Sequence, residues 1–226
     1  GWSANPFISN LSAQSFSADL SGNTVFNANF NGEAAPNTLM ISEINYHSDP
    51  TTDAGDWIEL HNDGGTPLDI SDYRIGDEEW YHLFTLPTGT VLPPNGRLVL
   101  YESQGRFETQ HPDVTQKAGP LGFSLDNKGD VVRVMDAFGT TVENAVFDNK
   151  KPWPCTPAGL GRSLERQEGA VDPNQPDSWF DGCMGGSPAV PYEPCDDDLV
   201  VSEINYNSPA GFDAGNLQVE GGPRRH

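Results

Sequence analysis

The sequence predicts an all-β fold, two packed antiparallel sheets spanning about residues 39 to 167. Three observations carry that expectation. Apolar and polar residues alternate with a period of two in DWIELHN (residues 56–62), RLVLYE (97–102) and DVVRVMD (130–136), as in strands with one buried face. Gly, Pro, Asn, Asp and Ser punctuate these runs at short intervals, which suits many short strands joined by turns. No stretch holds apolar residues at i, i+3, i+4 and i+7 through three turns, which argues against a helical bundle.

Taken in order, residues 1–37 are rich in Ser, Asn and Ala and read as a hairpin around Ser21-Gly22-Asn23, a linker, or the end of a preceding domain. Residues 38–195 form the principal domain. Its first strand, residues 39–46, is expected to turn Met40, Ser42, Ile44 and Tyr46 to one face and Leu39, Ile41, Glu43 and Asn45 to the other. Pro50 and a Thr/Asp/Gly cluster then break pairing. The second strand, residues 56–62, points Ile58 and Leu60 one way and Trp57, Glu59 and His61 the other, and Asn62-Asp63-Gly64-Gly65 turns the chain.

Short strands follow at residues 67–70, 73–75 and 82–86, the last ended by Pro87. Residues 88–96 are a turn-rich connector to the strand at 97–102, in which Leu98 and Leu100 oppose Val99 and Tyr101. Residues 103–120 lack a period, contain Pro112 and Pro120, and read as a surface loop. A strand at 122–125 leads through the Asp126–Gly129 turn to residues 130–136, where Val132 and Val134 share a face. Ala137-Phe138-Gly139 closes a hairpin to residues 140–147, with Val142 and Val146 as core candidates. A late strand is expected at 161–167, and loop from 168 to 195.

The opening motif then returns. LVVSEINYNSPAGFDAG (199–215) matches LMISEINYHSDPTTDAG (39–55) at ten of seventeen positions without gaps. Residues 196–216 are therefore read as an acidic linker and the first strand of a second, incomplete copy of the domain. The repeat fails after Asn216, and residues 217–226 read as a non-native tail. Residues 199–206, carrying Val200, Ile204 and Tyr206 on one face, would leave an unpaired strand able to add to a neighbouring molecule and build a homo-oligomer or filament.

The formal net charge of −21 disfavours nucleic acid as a partner, because such a surface repels phosphate. No apolar run approaches the ~20 residues that span a bilayer. The chain begins at Gly1, as an excised fragment would, so a targeting sequence would not be visible in it. Cys155, Cys183 and Cys195 show no CxxC or zinc spacing. The expected pairing is Cys155–Cys183, closing a loop of about 28 residues worth roughly 3.5 kcal/mol, with Cys183–Cys195 as the alternative.

Catalytic motifs are weak. Gly161-Arg162-Ser163-Leu164-Glu165 ends in Glu and is not a GxSxG elbow, so Ser163 reads as a strand residue. His47, His61, His82 and His111 are scattered without an HExxH. Glu43 and Glu59 fall on adjacent strands and could neighbour each other on one sheet face, an arrangement used in acid–base chemistry but more often structural. The candidate metal site is a calcium loop of Asp49, Asp53 and Asp56, since calcium takes six to eight oxygens in adaptable geometry. No cofactor is required, and calcium is the one that would fit.

The ordered motifs ISEINY (41–46), DWIELHN, PLDISDYRIGD (67–77), FTLPTGTVLPPNGRLVLYE (84–102), SLDNKGDVVRVMDAFGTTVENAVF (124–147), GRSLER (161–166), DSWFDG (177–182) and GSP (186–188) resemble the lamin tail domain family in its bacterial secreted branch. The resemblance implies an immunoglobulin-like β-sandwich without shared catalytic residues. It implies a non-catalytic extracellular or cell-surface module that binds a protein or surface polymer within a larger protein. Two alternatives stand beside it: the accessory domain of a secreted hydrolase or nuclease, and a spacer in a tandem array.

Overall fold

The computed structural model describes residues 38–195. The expected N-terminal segment 1–37, the acidic linker and repeat strand at 196–216, and the tail 217–226 lie outside the described residues. Strands β1 (Leu39–Asn45), β2 (Trp57–Asn62), β3 (Leu68–Asp69), β4 (Arg74–Gly76), β5 (Leu83–Thr85), β6 (Val91–Leu92) and β7 (Arg97–Tyr101) precede a short helix, α1 (Gln104–Gln110). Then come β8 (Lys117–Ala118), β9 (Gly129–Met135), β10 (Thr141–Asp148), β11 (Arg162–Arg166) and β12 (Trp179–Met184).

Six strands form one sheet in the order β12-β11-β1-β2-β7-β8, and four form another in the order β10-β9-β4-β5, with β3 and β6 paired separately. Pairing is antiparallel except between β7 and β8. The apolar faces of the two large sheets pack together in an immunoglobulin-like sandwich, the expected fold class. Ile58, Leu60, Leu98 and Leu100 from one sheet join Ile75, Val132, Val134, Ala145 and Phe147 from the other in a single core. Tyr46 and Phe147 meet across it, with ring centroids 4.7 Å apart. Burial pushes the Tyr46 hydroxyl up to about 12. Arg166 of β11 also bonds Glu143 of β10 at 2.5 Å, an ion pair that ties one sheet to the other.

Several expectations are corrected. In β1 a bulge between Ile41 and Glu43 resets the alternation, so Leu39 and Ile41 face the core together with Ile44 and Tyr46. Met40, expected on the face of Ile44 and Tyr46, is half-buried and outside that core. In β10 an irregularity between Thr141 and Glu143 does the same. Ala145 and Phe147 therefore fill the core, while Val146 is 43% exposed. The supposed surface loop at 103–120 contains α1, which has one buried residue, Phe107, and so too little apolar surface to show a period. Residues 122–125 form no strand, although Phe123 and Leu125 are buried. The region read as loop beyond 168 contains β12. Gly182 hid it: a Cβ there would lie 2.6 Å from Glu165 Cγ and 2.7 Å from Ser163 Oγ, so glycine is what lets β12 pair with β11.

The six-stranded sheet is covered on its second face too. Trp57, Val99 and Tyr101 pack with Ala54 and with Phe107 of α1 in a smaller cluster. Residues 185–189 cross the neighbouring part of that face as a strap, begun by left-handed Gly185 and Gly186. Downstream, Tyr192 packs edge-on against Phe180 of β12 at 4.7 Å, and Cys195 is disulfide-bonded to Cys183 with Cα atoms 5.6 Å apart. The expected Cys155–Cys183 bridge is thus replaced by its alternative. The segment after the strap lies beside β12 and delivers Cys195, whereas Cys155 is an exposed free thiol.

Candidate functional site

Three glutamates from adjacent strands meet beneath the strap. Glu43 lies opposite Glu59 across the β1–β2 ladder and opposite Glu165 across β1–β11. The expected Glu43–Glu59 neighbourhood is realised, and all three side chains are buried. The bulge that sends Ile41 and Ile44 inward leaves Glu43 on the face of Glu59. Each carboxyl has assigned donors. Ser163 Oγ and the Ser187 N–H donate to Glu43 Oε1, at 2.5 and 2.9 Å. The Ser187 hydroxyl donates to Glu165 Oε1 at 2.5 Å. Ser42 Oγ and the Ala189 N–H donate to the two oxygens of Glu59, both at 2.6 Å, and Arg97 caps that carboxylate.

Removal from water raises all three pKa values. Glu43 stands well above the ordinary range, through burial first and then through the charges of Glu165 and Glu59. As a carboxylate its Oε2 would have no donor. The nearness of Glu165 adds to the preference of Glu43 for its protonated form. Glu59 rises by burial, with Arg97 pulling the other way.

This cluster can fasten the strap to the sheet. It is not arranged to meet a substrate. A cleft of about 350 Å³ beside the strap is lined by Thr52, Gln110, His111, Met184, Gly185 and Gly186, and by none of the glutamates. Ser163, the serine of the failed elbow motif, is buried and spends its hydroxyl on Glu43. His111 packs against Trp57 and Phe107, and burial lowers its pKa. His82 bonds Asp77, and His47 and His61 lie elsewhere on the sheet and its loops. Glu165, Ser187 and Arg97 were not foreseen as members. The alternation Ser163–Glu165 in GRSLER was the available signal, since it places both on one face of a strand.

The three aspartates expected to form a calcium loop stand in three different settings. Asp49 closes a local turn on the amide and hydroxyl of Thr51, which hold its pKa low. Burial pushes Asp53 up, but the Gly55 amide and Arg106 outweigh it, so Asp53 lies below its ordinary value. Arg106 bonds Asp53 Oδ1 and Oδ2 at 3.1 and 3.0 Å and also grips Glu102. Asp56 accepts the Leu125 N–H at 2.8 Å, and burial pushes it up to about 7 despite that bond.

Asp53, Asp56 and Arg106 line a cleft of about 560 Å³ with Ser48 and residues 124–127, and Asp49 does not belong to that lining. Among the described residues no three His, Cys, Asp or Glu side chains are grouped as metal ligands. The Arg106 guanidinium lies between Asp53 and Glu102.

A family model described as Lamin Tail Domain matches residues 32–148, just over half of the chain. The match takes in β1 to β10 and ends before β11, which supplies Glu165. No curated protein matches the chain.

Proposed function

Because this chain belongs to the lamin tail domain family, we propose that it is a non-catalytic binding or assembly module of a larger secreted or cell-surface protein. The observation that carries this is the sealed glutamate cluster. The three carboxylates best placed for acid–base chemistry lie under the strap and are bonded to Ser42, Ser163, Ser187, Ala189 and Arg97. The fold instead offers surface. An oxidising, extracellular setting is supported by the Cys183–Cys195 disulfide. A protein or surface polymer is favoured over nucleic acid by the charge of −21.

Membership of a tandem array is favoured by one specific observation. Residues 202–206 repeat SEINY, including the glutamate and asparagine that β1 carries at 43 and 45 and the tyrosine that follows it at 46. A second domain of the same kind would need those residues, and strand addition between molecules would need the same ones.

The test is a paired measurement on the full chain. Ester, glycoside, peptide and phosphodiester substrates are assayed for turnover, and retention on intact cell envelopes is measured alongside light-scattering mass. No turnover together with saturable retention or concentration-dependent assembly is expected. Turnover that disappears in a folded Glu165→Gln variant would overturn the non-catalytic reading.

A further inference from the structure

Two of the most exposed large side chains sit side by side. Trp80 is 79% and Tyr81 59% exposed, both in the turn between β4 and β5. Such residues on an ill-ordered loop would mean little, but this turn is fixed from beneath. The buried Asp77 carboxylate accepts the Glu79 N–H at 2.8 Å and bonds His82 Nδ1 at 2.6 Å. Arg133 of β9 holds the Asp77 carbonyl, and Asp130 accepts the Glu78 N–H at 3.3 Å. The His82 ring stacks on buried Phe123 within 4° of parallel. Even the approach is tight, since a Cβ on Gly76 would lie 2.5 Å from the His82 carbonyl oxygen.

The two rings stand at 85° to each other with centroids 5.7 Å apart. That geometry selects among ligands. A pyranose stacks its face on one ring, and a second ring at right angles meets only its edge. A cation is drawn to the negative face of each ring, and aromatic walls at an angle are how proteins enclose one. The flanking side chains agree in sign, because Glu78 and Glu79 are both exposed. Arg133, the cation packed against the turn, is committed to the Asp77 carbonyl. Exposed, rigidly held Trp and Tyr are also the residue types that dominate binding energy at interfaces.

We infer that Trp80, Tyr81, Glu78 and Glu79 form a recognition site for an arginine or lysine side chain on a partner protein. The cation lies in the angle between the rings and its charge is matched by the two carboxylates. This rests on the binding-module reading and gives that module a partner class, a basic protein segment.

The experiment titrates the full chain with an acetylated, amidated Gly-Arg-Gly-Arg-Gly peptide. Calorimetry and the NMR shift of the Trp80 indole N–H are followed together. The controls are the same peptide with citrulline for arginine and a neutral cello-oligosaccharide. Saturable binding with a shifted indole is expected for the arginine peptide alone. Trp80→Ala leaves the net charge unchanged and is expected to weaken binding about tenfold, while Asp113→Asn, which removes one exposed charge elsewhere, leaves it within about twofold. Circular dichroism confirms that each variant is folded.

Equal affinity in Trp80→Ala would show diffuse attraction to an acidic surface and overturn the site. So would equal binding of the citrulline peptide, or an indole shift caused by the oligosaccharide instead. Absence of peptide binding also overturns it. Retention of the Trp80→Ala chain on cell envelopes would then show that the binding-module reading survives the loss of this site.

Discussion

Asp56→Asn is expected to stabilise the protein at neutral and alkaline pH and to do nothing at acid pH. Asp56 is partly buried at the edge of the Asp53–Arg106 cleft and accepts the Leu125 N–H. Burial raises its pKa from 3.8 to about 7. The unfolded chain therefore releases this proton near 3.8 and the folded chain near 7. Between those values the unfolded state binds fewer protons, so stability falls as pH rises through the window. Below it the group contributes no penalty, and above it the penalty is complete.

A window of about three pH units at about 1.4 kcal/mol each sets a ceiling near 4 kcal/mol. Water reaching the carboxylate through the cleft trims this to about 2 kcal/mol. Asparagine keeps an oxygen for the Leu125 N–H and has no proton to lose. It is also the residue that the repeated segment carries at the aligned position, Asn216. The assay is urea unfolding of the parent and variant full chains, followed by tryptophan fluorescence from about pH 4 to about pH 8. The variant's advantage should grow from near zero to about 2 kcal/mol across that range. A difference that does not change with pH would refute the assignment of the penalty to Asp56.

Other consequences follow from the strap and its glutamates. Glu43→Gln should be tolerated and should flatten the loss of stability above about pH 4.5, since the folded protein holds the Glu43 proton that the unfolded chain releases there. Glu43→Ala should instead cost about 2–4 kcal/mol in urea unfolding, because Ser163 and Ser187 lose their acceptor in a buried site. Gly186→Ala should free the strap, since its φ is +79° and the new methyl would collide with Glu43 and Trp57. Faster amide exchange at 187–189 than in β2 is the readout. Cys183→Ser should cost about 3 kcal/mol for a cross-link between residues twelve apart. Iodoacetamide should label Cys155, and no other cysteine, in the unreduced parent.

Period-two alternation was enough to determine the strands that build the core. In β2, β7 and β9 it also assigned the faces correctly, because a strand with no irregularity keeps its alternation from end to end. Glu43 and Glu59 were legible as neighbours because they fall on adjacent strands, each on the face turned away from its core neighbours Ile44 and Ile58. The turn at 137–139 was legible for a similar local reason, the positive φ that Gly139 adopts, whereas Asn62–Gly65, expected to supply left-handed conformations, turns the chain without one.

What the sequence left open depended on contacts between distant segments. A bulge moves every later side chain to the other face, and nothing in LMISEIN marks where it falls, so Ile41 and Val146 were misplaced. Glu165 and Ser187 entered the glutamate cluster only because β11 pairs with β1 and the strap crosses both, more than a hundred residues along the chain. The partner of Asp53 was settled in the same way, since α1 brings Arg106 to it from fifty-three residues away. The cysteine pairing was decided likewise, by the segment that lies beside β12 and not by loop-length entropy, which favoured the longer closure. Spacing along the chain limits which groups can meet, but packing decides which do, because burial energy is gained only after the sheets have closed over them.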